Sequence, residues 1–224
     1  KMSVSANDFI VKDGVFVRDF EGVYQQCDDP WNQQQNWDSD ILTSSSFLFL
    51  GEILRVGQHK LSHILDMGCA SGYCAEHLLS LGGDAAHYTG IDISETAITR
   101  AFQHVHEDWP ELTARMHFET GDIRHLNPKL VSKFNLIYCG KTLYYVAPEI
   151  DACVNHIDAY LSDGGLLCYT YNQRNDSFSN RYLTYDILRS KLLAHGFEEK
   201  TFVEIKDLAV DENLVVHICQ KRAQ

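Results

Sequence analysis

From position 44 onward the chain alternates short apolar runs with stretches whose apolar residues recur at helical spacing. Phe47, Leu50, Ile53 and Leu54 form such a stripe behind Ser44-Ser45-Ser46, which predicts a serine-capped helix ending near Gly57. His63 to Met67 reads as a strand, Gly72 to Leu81 as a helix closed by Gly82-Gly83, and Tyr88 to Ile93 as a second strand. Ser94 offers the N-cap of a helix reaching about Glu107, which Trp109-Pro110 ends. Met116 to Glu119 and Asn135 to Cys139 read as strands on either side of a loop with Asn127-Pro128. Pro148 suits the first turn of a helix through Leu161, and Asp163-Gly164-Gly165 turns the chain into the strand Leu166 to Tyr171.

Alternating strands and helices build βαβ units, so an α/β fold with a parallel sheet and helices on both faces is expected. The last segments depart from that rhythm. After a helix from Leu183 to His195, the runs Phe197 to Ile205 and Leu214 to Gln220 are joined through Asp211-Glu212-Asn213 with no helical pattern between them. Two strands joined by a short loop are antiparallel, so the sheet of seven mostly parallel strands should finish in a C-terminal antiparallel hairpin. Residues 1–43 read differently: a short hairpin at Asp13-Gly14, a helix from Asp19 to Gln26, then a loop rich in Pro, Trp, Gln and Asn. They are expected to form a cap over the ligand site of a core domain spanning 44–224.

Composition narrows the function. The chain has 224 residues, 45% hydrophobic and 22% charged, which suits one globular domain. No apolar run approaches the ~18 residues of a membrane span, and residues 1–10 lack the apolar core of a signal peptide, so a cytoplasmic protein with no membrane partner is expected. The formal charge of -12 repels polyanions and no Lys/Arg cluster offsets it, which disfavours a nucleic-acid partner and favours a small acceptor. The seven cysteines form no C-x-x-C pair and read as reduced, packed thiols. His59 and His63 lack companions for a ligand set, so no metal site is expected. Monomer and homodimer both remain open.

Candidate chemistry gathers at the strand ends. Ile64-Leu65-Asp66-Met67-Gly68-Cys69-Ala70-Ser71-Gly72 is an apolar strand that runs through small residues into a helix, so a ligand can approach the backbone and meet free N–H groups. Asp66 would repel a phosphate but accept hydrogen bonds from an ammonium, which points to a zwitterion such as an amino acid. In Gly90-Ile91-Asp92-Ile93-Ser94 a carboxylate stands at the tip of the next strand, facing the same crevice and placed for two ribose hydroxyls. In Thr120-Gly121-Asp122-Ile123, Asp122 suits an exocyclic amine and Ile123 a flat ring.

With these motifs the chain resembles the class I S-adenosylmethionine-dependent methyltransferases, over roughly residues 44–220. Their glycine-rich first motif is matched by Asp66, Gly68 and Gly72, their ribose acid by Asp92 and their adenine-side acid by Asp122; Ala70 stands where the family often has glycine. The resemblance implies a Rossmann-like sheet, S-adenosyl-L-methionine as cofactor, and contacts to it from Cys69, Ala70, Ile93, Ile123 and Cys139. The segment from Tyr24 to Trp37 is similar to that of small-molecule methyltransferases related to the nodulation-factor N-methyltransferases, which implies that Tyr24 or Trp37 touches the methionine end.

Acceptor chemistry is expected after the fourth strand, in Cys139-Gly140-Lys141-Thr142-Leu143-Tyr144-Tyr145. Tyr144, Lys141 and His125 are the candidate catalytic residues, with His156 a further candidate base. The expected reaction is methyl transfer to nitrogen or oxygen of a small polar acceptor, such as a sugar or amino sugar. Two other readings compete: a non-catalytic partner subunit of the same fold, and an NAD-dependent oxidoreductase, whose G-x-G-x-x-G spacing Gly68 to Gly72 does not supply.

Overall fold

The computed structural model describes residues 7–33, 40–174, 178–207 and 212–223. A helical turn, Asn7–Ile10 (α1), leads into the hairpin Val11–Lys12 (β1) and Val15–Phe16 (β2), turned at Asp13 and Gly14 with φ of 53° and 74°. Phe20–Gln26 (α2) follows, capped by the Asp19 carboxylate.

The core begins with Ile41–Gly57 (α3), His63–Met67 (β3), Ala75–Gly82 (α4), His87–Asp92 (β4), Glu95–Asp108 (α5) and Met116–Thr120 (β5). It continues with Phe134–Gly140 (β6), Ile150–Tyr160 (α6), Leu161–Arg174 (β7), Tyr185–Ala194 (α7), Glu198–Asp207 (β8) and Glu212–Gln220 (β9). The seven strands β3 to β9 lie in the order β5-β4-β3-β6-β7-β9-β8. β5, β4, β3, β6 and β7 pair in parallel, and β9 runs antiparallel to β7 and β8. This is the expected mostly parallel sheet with its C-terminal antiparallel hairpin.

Side chains alternate across the sheet, and both faces are covered. Ile64 joins Leu136, Cys168 and Val216 beneath Leu50 of α3 and Leu78 of α4. Leu65 and Met67 point the other way, to Ile137 and Tyr169 beneath Ile157 of α6 and Leu188 of α7. Burial on both sides explains why the strands read as unbroken apolar runs.

Several boundaries move for local reasons. Asp40, not a serine of 44–46, caps α3, its Oδ1 accepting from the N–H groups of Leu42 and Thr43, so a division at 43/44 falls inside the first helical turn. Ser46 is instead buried mid-helix, donating to the Thr43 carbonyl at 2.7 Å and lying 3.1 Å from the Tyr138 hydroxyl. α4 starts at Ala75 because Gly72 is left-handed, with φ of 77°. Pro148 sits in a 3₁₀ segment, Leu143–Glu149, and α6 begins only after it. Residues 163–165 belong to an irregular start of β7, where pairing jumps from Phe134–Leu161 to Leu136–Leu166. Thr184 caps α7, which starts at Tyr185 rather than Leu183.

One of the ties that fasten the N-terminal elements to the core is a carboxylate on α2. Glu21 on α2 accepts from Ser94 Oγ at 2.6 Å, from Thr96 N at 3.2 Å and from Thr96 Oγ1, at the first turn of α5. These bonds hold its carboxyl at about 2. A depressed carboxylate stabilises the fold above its ordinary value of 4.5 and loses that contribution as pH falls toward 2. Glu21→Ala is therefore expected to speed amide exchange in residues 18–33 at pH 7, read by mass spectrometry, while β3 and β6 exchange as before. Unchanged protection of 18–33 would show that the fastening lies elsewhere.

Candidate functional site

A cavity of about 650 Å³ opens along the carboxyl edge of the sheet, within the range of small-molecule sites, roughly 300–1,000 Å³. Its floor is the turn after β3. Gly68, Ala70 and Gly72 all have positive φ, 83°, 51° and 77°, and the Gly68 and Cys69 N–H groups donate to the Ile91 carbonyl of β4. A Cβ on Gly68 would lie 2.5 Å from Thr142 Oγ1, so glycine is required there by contact as well as by backbone. Ala70 takes the left-handed conformation that L-residues resist, and its N–H donates to Asp92 Oδ2 at 3.0 Å.

Asp66 is 3% exposed and lines the cavity. Tyr88 donates to its Oδ2 at 2.9 Å, and no cation pairs with it among the described residues. Burial pushes its carboxyl up to about 7, with the neighbouring Asp92 adding to the rise and the Tyr88 bond opposing it. Asp92 is also raised by burial, although the N–H groups of Ser94 and Ala70 hold its two oxygens.

Asp122 lines the same cavity but is occupied. Burial alone would raise its carboxyl, yet the Arg124 side chain and backbone N–H, donating at 2.6–3.0 Å, bring it below the usual range. Four hydrogen bonds fill the acceptor positions of that carboxylate, so a base amine reaches it only if Arg124 turns aside.

The side over the floor comes from the N-terminus. Tyr24, 2% exposed, packs with Ala70, Ala97 and Trp31, and its hydroxyl accepts from Trp31 Nε1 at 2.8 Å. Arg18 reaches across to the Tyr145 carbonyl and to Glu149. The far end holds Lys141, which is ion-paired with Asp40 Oδ2, together with Tyr144, Tyr145, Asn172 and Glu212. Burial pulls the Lys141 amine down and pushes the Tyr144 phenol up.

Of the residues expected at the site, Tyr24, Asp66, Gly68, Cys69, Ala70, Asp92, Ile93, Asp122, Ile123, Lys141 and Tyr144 all line the cavity. The others do not. Gly72 shapes the turn against Ala101 and Phe118, and Cys139 points into the core at 0% exposure, since alternation along β6 turns it away from Tyr138 and Gly140. The His125 side chain is 79% exposed and pairs with Asp122 from outside, while His156 Nδ1 meets the Ile123 carbonyl. Trp37 lies outside the described residues. Arg18, Trp31 and Asp40, from the segment expected to cap the site, and Asn172 and Glu212 also line the cavity, none of them having been singled out as a contact. Among the described residues, no group of three His, Cys, Asp or Glu side chains is arranged to hold a metal, and no helix is long and apolar enough to cross a membrane.

A family model described as a methyltransferase domain matches residues 58–220. The ubiquinone biosynthesis O-methyltransferase of Coxiella burnetii is 30% identical over 116 residues, covering 52% of this chain and 46% of that protein. The carboxy-S-adenosyl-L-methionine synthase of Chromohalobacter salexigens is 32% identical over 111 residues, covering 47% and 38%. The chain spans about half the length of these curated relatives, or less. Among solved structures, the N-methyltransferase NodS from Bradyrhizobium japonicum in complex with S-adenosyl-L-homocysteine superposes with a TM-score of 0.66 at 19% identity, covering 90% of this chain and 99% of that one, a likeness of fold.

Proposed function

Because the chain belongs to the methyltransferase-domain family, we propose that it binds S-adenosylmethionine in this cavity and transfers the methyl group to a nitrogen or oxygen of a small polar metabolite, such as a sugar or amino sugar. The observation that carries the reading is the convergence of Asp66, Asp92 and Asp122, from three adjacent strands, on one cavity.

The residues fit the cofactor. A buried carboxylate with no cation beside it among the described residues, as Asp66 is, gains most from a ligand that brings an ammonium. Asp92 would take the ribose hydroxyls with the lone pairs that Ala70 and Ser94 leave, and Ile93 and Ile123 offer apolar surface to a flat base. Gly68 keeps the floor open beside them.

When bound, the cofactor supplies an electrophilic sulfonium methyl for in-line transfer, the electrons of the broken C–S bond returning to sulfur. The protein's part is to align the acceptor and exclude water, and the aromatic wall of Tyr24, Trp31 and Tyr145 serves the second purpose. Tyr144 lines the cavity as a protonated phenol, so it orients an acceptor by hydrogen bonding rather than removing a proton.

Calorimetry distinguishes the readings. Saturable heat with S-adenosylmethionine and S-adenosylhomocysteine, and none with NAD, is expected. Preference for NAD would indicate an oxidoreductase, and no heat with any of the three a scaffold.

A further inference from the structure

At the β5 end of the cavity the polar group left to a ligand is a hydrogen-bond donor, although the sequence places an acceptor there. Gly121, Asp122, Ile123 and Arg124 line the cavity in succession just beyond β5. Their turn is closed locally, the Arg124 N–H donating to Asp122 Oδ1 at 2.9 Å and the His125 N–H to the Asp122 carbonyl at 3.0 Å. It brings the Arg124 side chain back to the carboxylate two residues before it. Nε donates to both oxygens at 3.0 Å, and Nη2 to Oδ2 at 2.6 Å. His125 closes the outer side, its Nδ1 3.3 Å from Oδ2.

An amine does not displace this arginine on equal terms. A neutral exocyclic amine brings two N–H donors at most, whereas the guanidinium brings charge as well, and charge-assisted hydrogen bonds are roughly twice as strong as neutral ones. Glu149 adds to the hold, since its charge favours the guanidinium from the 3₁₀ segment, where Arg18 fixes it at 2.8 Å. Asp122, 20% exposed, therefore stays covered, and Arg124 is the polar side chain that this end presents. Its Nη1 has no hydrogen-bond partner among the described residues and is not enclosed. A guanidinium has donors in plane and no acceptor.

We infer that, if the cavity is that of a methyltransferase, Arg124 rather than Asp122 reads the edge of the base, so the site does not select the 6-amino group of adenine. An amino group at that position donates, and would set N–H against N–H. A carbonyl oxygen in its place accepts from Nη1, as the ring nitrogen N7 does in either base. The methyl donor is then recognised by its ammonium at Asp66, its ribose at Asp92 and the apolar cover of Ile93 and Ile123, with the sixth position of the base favouring an acceptor.

The test is calorimetry with S-adenosyl-L-homocysteine and with S-inosyl-L-homocysteine, which carries a carbonyl oxygen in place of the amino group. The unmutated protein is expected to bind the inosine form as tightly as the adenosine form, within about threefold, or more tightly. Arg124→Ala uncovers the Asp122 carboxylate, so the preference should move about tenfold or more toward the adenosine form. The comparison on the unmutated protein stands even where the variant does not fold. A preference of the unmutated protein for the adenosine form beyond about threefold, or a smaller shift than about tenfold in Arg124→Ala, overturns the inference. Binding of neither nucleoside by the unmutated protein would instead bring down the methyltransferase reading beneath it.

Discussion

Asp66→Asn is expected to weaken S-adenosylmethionine binding at least a hundredfold while making the ligand-free protein more stable at pH 8. The carboxyl is buried and sits at about 7, against 3.8 for the ordinary group. Between those values the unfolded chain releases a proton that the folded chain keeps, so stability falls as pH rises from about 4 to 7 and stays lowered above. The difference amounts to about 2–4 kcal/mol at pH 8. Asparagine keeps the oxygen that accepts from Tyr88 and carries no charge, so it escapes the penalty, but it cannot balance an ammonium. Wild-type affinity for the cofactor should accordingly rise with pH up to about 7 and then level off, whereas the variant's should be flat. Thermal unfolding at pH 5.5 and 8, with calorimetry at both, checks the pair of effects. A variant that binds normally, or is less stable at pH 8, removes the role given to this carboxylate.

Gly68→Ala should cost both stability and binding. Its φ of 83° carries a backbone penalty of roughly 1–2 kcal/mol for an L-residue, and the new methyl meets Thr142 Oγ1 at 2.5 Å and Cγ2 at 2.6 Å. A fall in melting temperature of about 4–10 °C is expected, with a tenfold or larger loss of cofactor affinity. Thr142→Ala in the same chain removes the two closest contacts and leaves Thr142 Cβ at 3.1 Å together with the backbone strain, so about half the loss should return. Full recovery would mean that the conformation of Gly68 is not what matters, and no recovery that Thr142 does not meet the methyl.

The sheet and its antiparallel finish were legible because β3, β6, β7 and β9 are buried on both faces, and doubly buried strands leave unbroken apolar runs. Asp66 and Asp92 were legible because each stands at or next to the carboxyl end of a strand that the sequence shows, β3 and β4. Cys139 was misplaced by one step of the pleat, which a run apolar on both sides does not reveal. The occupation of Asp122 by Arg124 depends on a loop conformation two residues long, and Arg124 carries no pattern of its own. Asp40 could have been recognised as a helix cap, but the serines nearer the apolar stripe competed for that position. Asn172 and Glu212 are 40 residues apart, and only the reversal of the last strand brings them together.

That reversal divides the crevice by chain order. Under the proposed function, residues 66–124 would furnish the nucleoside side and residues 138–214 the opposite end, with the N-terminal elements overlying both. Substitution in the final strand can thus redraw which molecules are admitted without disturbing the grip on the methyl donor, a separation that lets one scaffold diversify its chemistry a few residues at a time.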